Sequence, residues 1–183
     1  MTAAQADLAR ARCEFLEMPE GLKLDTPCLE DGAAIWRIAR DSEVLDLNSS
    51  YSYLLWCRDF AATSAVARSE GGEPVGFVTG YIRPERPRTL VIWQIAVDGA
   101  LRGRGLAAAL LDGLVERTAR ELGVDELETT ITADNAPSNR LFASFAERHG
   151  ARLEREDLFV AELFPDAGHE PEVLHRIGPI VVA

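Results

Sequence analysis

A chain of 183 residues has the size of one domain and can bury a sizeable core. With 47% hydrophobic and 27% charged residues it is globular in composition rather than disordered, and a formal net charge of −11 argues against nucleic acid or an anionic membrane as partner. No apolar run approaches a membrane span, and the N-terminus lacks the apolar core of a signal peptide. Cys13, Cys28 and Cys57 have neither disulfide-framework nor zinc spacing, and His149, His169 and His175 form no metal-like cluster with them. A cytoplasmic, metal-free protein with reduced thiols is expected.

Residues 1–21, rich in Ala, Glu and Arg, read as a poorly ordered or loosely helical lead-in to a single domain over 22–183. Leu22 to Pro27 suits a first short strand. Asp31 is the expected N-cap of a helix that carries Ile35, Ile38 and Ala39 on one face and ends near Asp41. The polar run Asp46 to Ser50 enters a second helix with Tyr51, Leu54 and Leu55 on one face. Thr63 to Arg68 and Val75 to Ile82 are strands joined by the hairpin signal Glu70-Gly71-Gly72-Glu73. Arg83-Pro-Glu-Arg-Pro-Arg88 is expected to be an irregular loop, since Pro84 and Pro87 interrupt both ladder and helix. Leu90 to Val97 is an apolar, β-branched and aromatic run that suits a buried strand. A main helix follows from about Arg104 to Leu122, then a strand over Leu127 to Thr132. A helix capped by Asn135, with Pro137 in its first turn, turns Leu141, Phe142, Phe145 and Ala146 inward and stops at Gly150. Leu153 to Val160 and Val173 to Ile177 are the last strands.

The stretch from Leu90 to Ala107 organises the chain. A strand that runs through a glycine-rich turn into a helix presents that helix's first unpaired N–H groups and the positive end of its dipole, a site suited to phosphate or pyrophosphate. Gly103 and Gly105 allow close backbone approach, and Arg102 and Arg104 add charge. The pattern is neither G-x-G-x-x-G nor a nucleoside-triphosphate loop. Arg102-x-x-Gly105-x-Ala107 resembles the pyrophosphate-binding signature of the GNAT superfamily, the acetyl-CoA-dependent N-acyltransferases, and Asn135-x-x-Ser138-x-x-Leu141-Phe142-x-x-Phe145 resembles its second CoA-contacting helix. The resemblance implies an α/β (α+β) fold: a central mixed, mostly antiparallel sheet flanked by helices. It also implies acetyl-CoA as cosubstrate, contacted by Ile95, Val97, Arg102 to Ala107 (Leu106 included), Asn135 and Ser138.

Four further stretches narrow the resemblance to the L-2,4-diaminobutyrate acetyltransferases of ectoine biosynthesis. They are Leu45-Asp-Leu-Asn-Ser-Ser-Tyr51, Val91-Ile-Trp-Gln-Ile-Ala-Val97, Leu127-Glu-Thr-Thr with Asp134-Asn135, and Gly168-His169-Glu170 with Glu172-Val173-Leu174. By implication an acetyl group is placed on the side-chain (N4) amine, and Asp46, Tyr51, Trp93, Asn135, His169 and Glu170 lie near the substrate. A homodimer is implied as well, and the apolar tail from Ile177 to Val182 is a candidate for its interface. The residues suit a substrate with two ammonium groups. Asp46, Glu128 and Glu170 supply anions, and Trp93 offers a cation–π face. Each has a plainer alternative: a helix cap for Asp46, core packing for Trp93 and Tyr51, a solvated strand face for Glu128, a turn for His169 and Glu170.

The chemistry is attack of a neutral amine on a thioester carbon. An alkylammonium with a pKa of ~10 must first lose a proton. Glu170 and Glu128 are the candidate bases, and the superfamily resemblance implies backbone N–H groups over Ile95, Ala96 and Val97 as the donors for charge developing on the carbonyl oxygen. Phe142 stands where many superfamily members carry a tyrosine that protonates the departing thiolate. Tyr51, a water, or release of an unprotonated thiolate are the alternatives. Acetylation of another small amine (a polyamine or aminoglycoside), and a non-catalytic acetyl-CoA sensor, are the rival readings.

Overall fold

The structure, a computed structural model, describes residues 15–165 and 170–182; most of the expected lead-in, with Cys13, and Gly168 and His169 lie outside the described residues. The strands are β1 (Lys23–Asp25), β2 (Ala65–Arg68), β3 (Pro74–Arg83), β4 (Arg86–Val97), β5 (Glu126–Thr132), β6 (Arg152–Phe159) and β7 (Glu172–Gly178). They form one seven-stranded sheet in the order β1-β2-β3-β4-β5-β7-β6. Neighbours are antiparallel throughout except β4 and β5, which are parallel. Among the described residues the α-helices are α1 (Gly32–Ser42), α2 (Ser50–Asp59), α3 (Leu106–Leu122) and α4 (Ala136–Arg148). The element order matches the one expected, and the sheet is mixed and mostly antiparallel as the superfamily resemblance implied.

The two faces of the sheet are buried by different helices. Leu106, Leu110 and Leu114 of α3 and Phe142, Phe145 and Ala146 of α4 pack on Leu90 and Ile92 of β4, Leu127 and Ile131 of β5, and Ile177 of β7. Among the described residues the opposite face is covered over β2 to β4, where Ile35, Ile38 and Ala39 of α1 and Tyr53 and Cys57 of α2 meet Val66, Phe77 and Ala96. Burial pushes the Cys57 thiol up to about 12, so it stays protonated at neutral pH. Gly123, at φ 71°, ends α3 by donating its N–H to the Ala119 carbonyl, a left-handed stop that glycine adopts without a Cβ penalty. Asn135 accepts the Ser138 N–H at 3.1 Å and caps α4.

Several expectations change. Residues 15–21 are not a loose lead-in: the Leu16 N–H donates to the buried carboxylate of Asp112 at 2.9 Å, and Phe15 and Met18 pack on the core. Asp31 does not cap α1 with its side chain; it accepts two hydrogen bonds from Arg68, at 2.7 and 2.8 Å, and the Cys28 N–H. The buried face of α2 is Tyr53 and Cys57, whereas Tyr51 and Leu54 are exposed. Pro87 lies inside β4 rather than in a loop. It has no ladder partner on either side there, so its missing N–H goes unused. The C-terminal tail turns inward, with Ile177 and Ile180 buried and the Ile180 N–H on the Asp125 carbonyl at 2.7 Å, and so completes its own core.

Gly80 sits where the β3–β4 register shifts. A Cβ there would lie 2.7 Å from the Val91 carbonyl oxygen and 3.1 Å from that of Thr63, both backbone atoms that cannot swing away. Gly80→Ala is expected to cost about 1–3 kcal/mol of stability, read as a lower melting temperature. An unchanged melt would show that the two strands can part at this point.

Candidate active site

The site begins with an irregularity in the central strand. Thr79 of β3 is paired with Gln94 and the next residue, Gly80, with Ile92, so Trp93 is an extra residue bulged out of β4. A bulge re-aims a side chain and frees backbone groups from the ladder. On its other edge β4 pairs with β5 only over Thr89, Leu90 and Val91. From Ile92 onward the two parallel strands separate, and the β4 edge through Ile95, Ala96 and Val97 has no strand beside it among the described residues. Unpaired strand edges accept an added extended segment through backbone hydrogen bonds.

At the far end of β4 the chain passes through Asp98 and a short 3₁₀ turn (Gly99–Leu101) into the glycine loop. Gly103 and Gly105 have φ of 75° and 79°, and an added Cβ at either would meet nothing within 4 Å, so the loop faces open space. Ala109 donates to the Gly105 carbonyl at 3.0 Å, which leaves the N–H groups of Leu106, Ala107 and Ala108 directed outward at the helix start. Helix α1 holds this loop at both ends. Arg37 pairs with Asp98 at 2.8 Å, and Arg102 donates to the Ser42 carbonyl at 3.0 Å. Arg104 is exposed. The features a pyrophosphate requires are therefore present in this chain's own geometry: free helix N–H groups, two left-handed glycines and two arginines.

The amine side lies on the face of the sheet turned away from α3 and α4. The Trp93 ring, 53% exposed, stacks on Trp56 of α2 with centroids 6.2 Å apart, and Trp56 in turn meets Phe60 at 4.8 Å. Across the gap, Thr130 and Thr132 of β5 point to the same face, and Glu172 of β7 pairs with Thr132. One carboxylate oxygen of Glu172, Oε2, is buried without a hydrogen-bond partner. Such an atom costs free energy unless a cation or donor meets it. Glu170 and Tyr51 are exposed. Asp46 is exposed in the connection between α1 and α2, and among the described residues its carboxylate makes no hydrogen bond or ion pair.

Glu128 differs from expectation. Its side chain is 3% exposed and bound by three guanidinium groups: Arg83 at 2.8 Å, Arg86 at 3.0 Å and Arg176 at 2.9 Å. Arg86 also reaches Glu126 at 2.8 Å. The carboxylate is thereby committed to three cations of the protein itself. It clamps the β3–β4 hairpin to β5 and β7 at the closed end of the β4–β5 gap.

The sequence profile of the acetyltransferase (GNAT) family matches residues 30–146. The chain is 67% identical to an L-2,4-diaminobutyric acid acetyltransferase of Streptomyces avermitilis over 98% of this chain and 99% of that one. The chain belongs to the GNAT acetyltransferase family. A protein of the same name from Marinococcus halophilus is 44% identical over 87% of this chain and 91% of its own. The diaminobutyrate acetyltransferase of Paenibacillus lautus, solved with L-2,4-diaminobutyric acid and coenzyme A, superposes with a TM-score of 0.82 at 38% identity, covering 88% of this chain and 97% of that one.

The glycine loop follows β4 and the start of α4, with Asn135 and Ser138, follows β5, so both stand at the C-terminal ends of the two parallel strands, where β4 from Trp93 through Val97 is no longer paired with β5. His169 lies outside the described residues. Four contributors were not singled out from sequence: Trp56, Tyr53, Gln94 and Glu172. Tyr53 donates its hydroxyl to Gln94 Oε1 at 3.0 Å, and Gln94 Nε2 donates to the Asp46 carbonyl at 2.8 Å. Burial pushes the Tyr53 hydroxyl up, which keeps it a donor. A buried tyrosine beside a glutamine next to the central tryptophan carries no motif of its own. Only the pairing of α2 with β4 shows their connection.

Proposed function

We propose that the chain transfers the acetyl group of acetyl-CoA to the N4 amine of L-2,4-diaminobutyrate, giving N4-acetyl-2,4-diaminobutyrate for ectoine biosynthesis. The observation that carries this reading is the near-full-length likeness to proteins named for that reaction. When bound, acetyl-CoA supplies a thioester carbonyl. The open edge of β4 over Ile95, Ala96 and Val97 receives the pantetheine arm like an added strand and donates N–H groups to the carbonyl oxygen. Arg102, Gly103, Arg104, Gly105, Leu106 and Ala107 hold the pyrophosphate, with Asn135 and Ser138 beside the arm.

The diamine enters from the opposite face. Trp93 supplies an aromatic surface for an ammonium group, and Asp46, Tyr51, Asn135, His169 and Glu170 complete its surroundings. The attacking amine must shed a proton. Glu128 is held in three arginine pairs, and in this reading the proton passes instead to Glu172, whose Oε2 is unpartnered, with Glu170 as the neighbouring acceptor. Phe142, 2% exposed, carries no transferable proton. The departing thiolate takes its proton from Tyr51 or from water, or leaves unprotonated. The enzyme works as a cytoplasmic homodimer in this reading. The exposed Leu158, Phe159, Val160 and Leu163 at the end of the outermost strand β6 supply an apolar surface for a second copy.

The test is release of free CoA with L-2,4-diaminobutyrate, ornithine, lysine and spermidine offered in parallel, and NMR of the product. Preferred turnover of diaminobutyrate with acetyl on N4 is expected. Preference for another amine would overturn the substrate, and tight acetyl-CoA binding without turnover of any amine would favour a sensor. In the same assay Asp46→Ala is expected to raise KM for the diamine by roughly tenfold or more, the loss of one charge-assisted contact, with KM for acetyl-CoA unchanged. Equal increases in both would make Asp46 structural.

A further inference from the structure

We propose that Gln94 and Tyr53 are positioning residues that fix the span between Trp93 and Asp46, so that the site selects its diamine by chain length. The inference rests on the diaminobutyrate reading above and deepens it.

Gln94 directly follows the bulged Trp93 on β4, and its side chain is buried against α2. Both ends of its amide are engaged. Oε1 accepts from the Tyr53 hydroxyl at 3.0 Å, and Nε2 donates to the backbone carbonyl of Asp46 at 2.8 Å. Tyr53 is fully buried, fixed edge-on to Phe77 with centroids 6.4 Å apart, and the amides of Asn48 approach the same hydroxyl. The connection that carries Asp46 has no ladder or helix of its own. Its other anchors are the Val44 and Leu45 N–H groups on the Ser42 hydroxyl at 3.4 and 3.3 Å, toward α1, the Leu45 side chain packed on the α1–α2 core, and the Asn48 side-chain amide on the same Asp46 carbonyl at 3.5 Å, within the loop itself. Gln94 is thus the tie between the strand that presents Trp93 and the loop that presents the Asp46 carboxylate.

A diamine with one ammonium at each of these two residues is measured by the distance between them. An ornithine-like homologue, one methylene longer, fits only if the loop yields. Held pockets discriminate one methylene by roughly 10–200-fold, and a loop released from its tie loses that discrimination. A buried amide and a buried hydroxyl are costly unless each is satisfied. Here they satisfy one another and the loop, so removing either loosens all three.

The experiment compares wild type, Gln94→Met and Tyr53→Phe. KM and kcat are measured for diaminobutyrate and for acetyl-CoA, together with the ratio of kcat/KM between diaminobutyrate and ornithine. Gln94→Met is expected to raise KM for diaminobutyrate roughly tenfold and to lower the ratio by a similar factor, with KM for acetyl-CoA unchanged. Tyr53→Phe keeps the ring and deletes the hydroxyl with its contacts to Gln94 and Asn48, so the same changes of smaller size are expected from a variant that packs as before. An unchanged ratio in a Tyr53→Phe or Gln94→Met protein that melts like wild type overturns the proposal, as does a parallel rise of both KM values. If wild type prefers another amine, the substrate reading fails separately. The variants are then compared on that amine and its one-methylene homologue, where an unchanged ratio again overturns the tie.

Discussion

Replacing Glu172 with Gln is expected to lower kcat for the diamine by about 10²–10⁴-fold, the usual contribution of a positioned proton acceptor, with acetyl-CoA affinity unchanged. The change is isosteric and removes only the charge and basicity of a side chain whose Oε2 is buried and unpartnered. Glu172 opens β7 opposite Thr132 of β5, on the uncovered sheet face to which the gap beside Trp93 opens. An ammonium group arriving there meets an acceptor already desolvated in part, so little reorganisation is needed when the proton moves. A kcat within threefold of wild type would move the proton to Glu170.

How far these features could be read in the chain depends on their range. The element order followed from short-range signals: apolar periodicity, the Gly71-Gly72 hairpin, the Asn135 cap and the Gly123 stop each act within a few residues. The glycine loop was legible for the same reason. The exposed face that Trp93 takes was not legible in the strand pattern, because a bulge inserts one position and resets which face each side chain takes. Tyr51 and Tyr53, two residues apart on α2, differ in burial, with Tyr53 rather than Tyr51 on the packed face. The helix packs with Cys57 inward, and Tyr53, four residues earlier, shares that face while Tyr51 does not. Pro87 was assigned to a loop by a rule that holds for paired strands, and β4 is unpaired at that position. The gap between β4 and β5 depends on where a parallel ladder stops, which no local pattern encodes.

Glu128 shows the same limit in charge, and its replacement by Gln is expected to act on stability rather than on chemistry. Its carboxylate gathers Arg83 and Arg86 from the β3–β4 hairpin and Arg176 from β7, positions 42 to 48 residues away in sequence. Removing the charge leaves three guanidinium groups facing one another around a neutral amide. Breaking a buried pair in this way costs about 3–5 kcal/mol; since the arginine side chains are 27–41% exposed, water recovers part of that and on the order of 2–4 kcal/mol remains. For a chain of this size that corresponds to a fall in Tm of roughly 5–15 °C. Because the clamp sits where β4 and β5 are still paired, below the point at which they separate, its loss acts on how firmly the gap is held closed at its base. At 25 °C the folded variant is therefore expected to keep kcat within a few-fold of wild type. A thermal melt paired with single-temperature kinetics separates the two roles, since an unchanged Tm with kcat lost would return Glu128 to the position of catalytic base.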